Sequence, residues 1–168
     1  MRTGILTLLL VLAATFAVQA QSLTDKNWFA NMSDKENDIT LLLAFGDDGD
    51  CAAFLRLKDE EEVDDGVTLT TEFNMLVPGT YTLQGRKVKM AFDTTKNETE
   101  ISADLEGLDE TSKSIMMSMI KPELKKMEPE VVALLMEALP TNDSYEITKL
   151  TDTELQFDGG FDFVGMPK

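Results

Sequence analysis

The 168-residue sequence contains no histidine. That absence removes the commonest zinc ligand, the usual general base and the side chain that switches charge near neutral pH. Nucleophile pairs of the Ser–His and Cys–His kinds are excluded outright. Cysteine is almost as scarce. Cys51 is the only one, so no internal disulfide forms and the fold must rest on its core. A lone cysteine either pairs with another chain or, more often, packs as a small hydrophobe. A reactive thiol would need histidine or clustered cations beside it, and Arg56 and Lys58 lie further along the chain. Positive charge is also short, with 15 Lys and Arg against 31 Asp and Glu. A field of that sign repels phosphate backbones and anionic headgroups, so nucleic acid is not an expected partner.

Long apolar runs are missing except at the start. Arg2 precedes an apolar stretch from Ile5 to about Val18, which closes on Val18-Gln19-Ala20. A positive head, a short apolar centre and small residues before the cut predict a secretory signal peptide over residues 1–20. The stretch is short for a membrane span, and no membrane insertion is expected after cleavage. No cysteine follows Ala20, which argues against a bacterial lipoprotein anchor. The expected location is therefore secreted or periplasmic. The remaining chain, 21–168, is one domain's worth of residues. Without Arg2 it carries 14 basic and 31 acidic residues, a formal charge of −17.

From Leu23 to Leu105 apolar residues recur at every second position, as in Ile39, Leu41, Leu43 and Phe45, or Val88, Met90 and Phe92. Alternation of this kind marks strands with one buried and one wet face. The breaks carry turn chemistry: Asp47-Asp48-Gly49, Asp64-Asp65-Gly66, Pro78-Gly79, Gln84-Gly85-Arg86 and Lys96-Asn97. Short strands at such spacing predict an all-β antiparallel sandwich or barrel. After Leu105 the period changes. The segment from about Leu108 to Leu139 is rich in Met, Leu, Glu and Lys, which are good helix formers. Asp109 or Thr111 supplies a cap, Pro122 and Pro129 fit the first turns of new helical segments, and Pro140 ends the run. Two or three short helices are expected there. Strand character returns at Tyr145–Leu150 and Glu154–Phe157, and Phe161–Val164 adds an edge strand or tail. The count of eight or nine strands is near the number that lets a small barrel fill its interior or hold one small ligand.

Four pieces of this pattern resemble a known group. They are Leu23-Thr24-Asp25-Lys26-Asn27-Trp28, the Phe45–Leu57 hairpin "FGDDGDCAAFLRL", "GTYTLQGRKVKMAFD" from Gly79 to Asp93, and "YEITKLTDTELQF" from Tyr145 to Phe157. Together they cover about half of the chain after the leader and resemble, in order, segments of secreted bacterial lipocalin-like domains. The resemblance implies a calycin-type, up-and-down β-barrel exported by a Gram-negative bacterium, with no catalytic residues to carry over. The chain departs from that group at Lys26, where true lipocalins have glycine two residues before the Trp, and in a helical insertion before the final hairpin that is longer than the single helix of a typical lipocalin.

Several stretches invite a chemical reading. Asp47, Asp48 and Asp50 suggest a calcium loop, but the twelfth residue counted from Asp47 or Asp48 is Lys58 or Asp59, not the bidentate Glu an EF-hand requires. Asp-Gly between apolar runs instead predicts a hairpin turn. The acidic run Asp59-Glu60-Glu61-Glu62 with Asp64-Asp65 reads as a solvated loop. Paired carboxylates could do glycosidase-type chemistry, yet no motif singles out a pair, and the chain is read as non-enzymatic with no cofactor and no metal site. Asn31-Met32-Ser33, Asn97-Glu98-Thr99 and Asn142-Asp143-Ser144 match the glycosylation pattern and serve as surface-loop markers.

Two functions remain. The first is an exported domain that binds a small apolar or amphipathic ligand inside the barrel, lined by Phe45, Phe54, Phe73, Met75, Tyr81 and Phe92. Met116, Met119, Met127 and Met136 would form a helical lid. The second is an interaction module that docks a basic or apolar protein partner on the acidic surface and the Met-rich helices.

Overall fold

Alternation and turn chemistry together make one meandering sheet. The computed structural model describes residues 23–32, 38–140 and 144–168. The predicted leader lies outside the described residues, as do Ser33, Asn142 and Asp143 of two glycosylation patterns. The strands are β1 (Lys26–Asn31), β2 (Asp38–Phe45), β3 (Asp50–Asp64), β4 (Val67–Gln84), β5 (Lys87–Phe92), β6 (Glu98–Glu106), β7 (Tyr145–Leu150), β8 (Glu154–Phe157) and β9 (Asp162–Pro167). One helix, α1 (Glu110–Glu137), lies between β6 and β7.

All pairings are antiparallel, and they run β3-β2-β1-β9-β8-β7-β5-β4 before β4 returns to β3. Eight strands therefore close a ring, and β6 adds to β4 outside it. The Phe161–Val164 segment is not an edge. As β9 it pairs with both β8 and β1 and completes the ring, because Phe163 finds a buried place in the core beside Phe157. The seam between β5 and β7, where β6 and α1 intervene in the chain, has two residue pairs only. The Arg86 guanidinium reinforces it by donating to the carbonyls of Ile147 and Thr148, each at 2.7 Å.

The inward rows fill the ring. Trp28, Leu41, Leu43, Phe45, Leu55, Met75, Val77, Leu155 and Phe163 are all buried in one contiguous core. Trp28 buries its ring and still satisfies its indole N–H, which donates to the Leu23 carbonyl at 2.9 Å, as a buried polar tip must.

Three expectations need correction. The insertion is one helix rather than two or three, and both prolines lie inside it. Proline removes an intrahelical bond to the carbonyl four residues back. Pro122 and Pro129 stand on the exposed face, as do Ser118 and Lys125, so water can reach the carbonyls left free. Asp109 caps the helix, its carboxylate accepting from the amides of Thr111 and Ser112. The acidic run is not a loop. Asp59 to Asp64 continues β3, with Glu60 opposite Thr70 and Glu61 opposite Leu69. The threonine-rich partner strand favours extended backbone, and the exposed row keeps the acids hydrated. Pro78-Gly79 is not a turn either, because β4 runs straight through it. There β4 changes partner, leaving β6 at Leu76 and meeting β5 at Gly79. A Cβ on Gly79 would come within 2.6 Å of the Ala91 carbonyl oxygen, so the glycine allows β5 its close approach.

Candidate functional site: a trough beside the helix

The length of β3 and β4 creates the site. Beyond the ring the two strands overhang as a hairpin, and β6 extends it by a third strand. Next to Leu57 and Phe73, the last core pair of the ring, the inward row of this overhang consists of two facing pairs, Asp59 with Thr71 and Glu61 with Leu69. It continues the parity that in the ring proper places Leu55 and Met75 in the core.

Helix α1 lies over that row. Ile120, Leu124, Met127, Val131 and Leu134 recur at spacings of four and three, which aligns them on one face. Flanking positions divide the charge. Glu123 and Glu130 fall toward β3 and β4, whereas Lys121, Lys125 and Glu128 fall toward β6. The helix is tied on the β6 side. Lys113 makes an ion pair with Asp104 at 2.5 Å, and the Thr99 hydroxyl donates to the Glu128 carboxylate at 2.6 Å. The nearby Lys113 ammonium holds the Asp104 carboxyl below the usual carboxylate range.

Clefts open along both flanks of the helix. A cavity of about 730 Å³ runs between α1 and the β3–β4 overhang. Its floor is Leu57, Leu69, Thr71 and Phe73; its opposite wall is Met119, Ile120, Leu124, Met127, Val131 and Leu134. The charged residues that line it are Asp59, Glu61, Glu123 and Glu130, all acids. A second cleft of about 610 Å³ lies on the β6 flank, bounded by Thr99, Ile101, Ser102 and Ala103 and by Lys121, Leu124, Lys125 and Glu128. The two clefts share Leu124 but differ in chemistry, one apolar with an acidic rim and one polar with two lysines.

The residues proposed from sequence divide among several places. Phe45 and Met75 are fully buried core. Tyr81 packs edge-on against Phe45 with ring centres 5.0 Å apart, and its hydroxyl donates to the Gly46 carbonyl at 2.8 Å. Burial pushes the Tyr81 phenol up, helped by the nearby Asp47 charge. Phe92 is half-buried against the same core. Phe54 is corrected: it lies in the outward row, opposite Leu42 and Leu76, because Cys51, Ala53, Leu55 and Leu57 take the inward positions of β3. Of the six aromatic and methionine positions, Phe73 alone reaches the trough. Among the lid methionines, Met119 and Met127 line it, Met136 packs against the core, and Met116 does neither. Sequence reasoning missed Leu57, Leu69, Ile120, Leu124, Val131, Leu134 and the four acids. The four-and-three spacing on the helix was the available signal.

The Asp47–Gly49 segment is the β2–β3 turn, with Gly49 at φ +88° and the Gly46 amide donating to the Asp50 carbonyl at 2.7 Å. Cys51 follows it, buried opposite Phe45 and Gly79. Burial, with the Asp50 charge beside it, pushes the thiol up to about 12. Among the described residues no group of three or more His, Cys, Asp or Glu is placed to hold a metal ion, and no helix is long and apolar enough to cross a membrane.

A scan against protein-family models finds no match, and a search of curated proteins finds no significant similarity.

Proposed function

We propose that this chain is an exported, non-enzymatic, lipocalin-like binding domain whose ligand site is the trough beside α1 rather than the barrel interior. One observation carries the reading. The ring is packed with buried side chains, whereas the overhang leaves an apolar cavity of about 730 Å³, within the range of small-molecule sites. The ligand is a small apolar or amphipathic molecule.

Native mass spectrometry of the purified protein tests this. The expected result is a co-purified or added amphiphile bound at one to one, and lost in Leu69→Trp, which fills the trough floor. A bare chain that no lipid or metabolite stabilises against heat would sink it.

A second reading has its own support. Ile115 and Met119 are 59% and 69% exposed one helical turn apart, and exposed apolar side chains of that size on one face suit a protein contact. A partner whose binding is lost in Ile115→Lys, a position outside the trough lining, with ligand binding intact, would favour it.

A further inference from the structure

The charge and shape of the trough say which amphiphile it takes. Resting on the reading of the trough as the ligand site, we propose that its occupant is a single-chain cationic amphiphile, a long-chain amine or quaternary ammonium. The acids stand on both walls, Asp59 and Glu61 from β3 and Glu123 and Glu130 from α1, with no cation among the lining residues. Glu123 also makes a surface ion pair with Lys126 at 2.6 Å, on the side away from the trough. An anionic headgroup would meet four exposed carboxylates along the rim of the trough, a repulsion that is strongest at low ionic strength. A cationic head gains the same interactions with the opposite sign. The chain's formal charge of −16 draws a cation toward the site and repels an anion before contact.

Length favours a single chain. The lining residues of α1 extend from Met119 to Leu134, which at 1.5 Å per residue is about 22 Å. An extended alkyl chain of hexadecyl length lies along a trough of that length, with its tail on the apolar wall.

The test uses amphiphiles that share a hexadecyl-length tail and differ in the head, each below its micelle concentration. They are hexadecyltrimethylammonium, hexadecylphosphocholine and palmitate, titrated calorimetrically at low salt, with the near-ultraviolet signal of Trp28 as the check that the fold is intact. The expected order is the cation at least tenfold tighter than the zwitterion and a hundredfold tighter than palmitate. In the variant carrying Asp59→Asn, Glu61→Gln, Glu123→Gln and Glu130→Gln, the preference should fall below threefold while the zwitterion still binds. If the preference survives in that variant, overall charge rather than the trough selects the ligand and the proposal fails. Palmitate binding as tightly as the cation, and lost in Met127→Trp, would overturn the cationic preference and leave the trough reading standing. Absence of binding by all three would remove both. Displacement of the cation by hexalysine at equal concentration would point to a polycation without a tail and overturn the proposal as well.

Discussion

The β3–β4 hairpin passes through two environments with one alternation. In the ring, inward positions such as Ala53, Leu55, Met75 and Val77 are wholly buried. In the overhang the same parity presents Asp59, Glu61, Leu69 and Thr71 to a cavity. The difference lies in what stands opposite. Across the ring, inward side chains meet those of Trp28, Leu155 and Phe163 in one cluster. Across the overhang they meet one helix, tied down on the far flank by Asp104 and Thr99. A strand's period decides which face is apolar, but a second element must arrive to bury it.

The largest effect should separate the two environments by stability. Trp28→Ala removes a fully buried indole and should cost about 3–5 kcal/mol, the range for deleting a large core aromatic. Leu69→Ala, in the trough floor, should cost about 1 kcal/mol or less, since half-exposed groups lose little transfer energy. Urea unfolding of both variants measures the contrast. Equal costs would mean that the overhang is packed as tightly as the ring.

Next in size are two glycines that meet at the far end of the overhang. Gly66 and Gly107 both adopt positive φ, at +74° and +90°. A Cβ on Gly107 would fall inside van der Waals contact of the Gly66 carbonyl oxygen, whereas one on Gly66 meets open space. Gly107→Ala therefore adds a clash with backbone to the left-handed strain and should cost about 2–3 kcal/mol. Gly66→Ala should cost only about 1 kcal/mol. Should the two variants unfold at the same urea concentration, the tip of the overhang is looser than its geometry indicates.

Thiol chemistry sharpens the comparison without altering stability much. Cys51 belongs to the ring and is buried, so at pH 8 its alkylation should be at least a hundredfold slower than in the unfolded chain. A cysteine placed in the trough by Leu69→Cys, in a Cys51→Ala background, should react within about tenfold of a free thiol. The sign of the pH effect follows from the direction of the shift. Folding favours the neutral Cys51 thiol, whose pKa is raised to about 12 from an ordinary 9. Its contribution is complete below about pH 9 and is lost as pH rises from there toward 12. Cys51→Ala should therefore flatten the alkaline end of the stability profile. Rapid labelling of native Cys51 would contradict its burial.

The hairpins were legible because Asp-Gly and Gln-Gly turns specify the reversal locally, at Asp47–Gly49 and Gln84–Arg86. The ring was legible in outline for the same reason. The parity of β3 was not, because both of its rows begin apolar: Ala53 and Leu55 face in while Ala52 and Phe54 face out. Size suggested that Phe54 belonged inside, and cross-strand register with Leu42 and Leu76 placed it outside. The acidic run was read by its charge, which favours a loop, whereas its pairing with Thr68, Thr70 and Thr71 keeps it extended. The trough depends on that misread stretch. Unless β3 continues to Asp64 there is no overhang, and unless α1 remains one helix through Pro122 and Pro129 there is no second wall. Each of these depends on tertiary context that overrides a sound local signal.

The smallest effect concerns the ties that hold α1 to one side. Asp104 pairs with Lys113, and Asp109 caps the helix through the Ser112 hydroxyl and the amides of Ser112 and Thr111. Both carboxyls are held below their ordinary range, Asp104 first by its bond from Lys113 and Asp109 first by its bond from Ser112. A depressed folded-state pKa contributes stability above the unfolded value near 4 and loses it as pH falls through the folded value. Acid should therefore loosen the seat of α1 before it opens the ring, whose core holds no paired carboxylate. The groups are exposed, so the change in overall melting temperature should be small. The sensitive measurement is helix content against near-ultraviolet signal between pH 5 and 2. Loss of the helical signal ahead of the Trp28 signal is the expected order, and Asp104→Asn should bring the helical transition forward to neutral pH in part. Coincident transitions in both proteins would show that α1 and the ring unfold as one unit, and the trough would then be as firmly built as the barrel beside it.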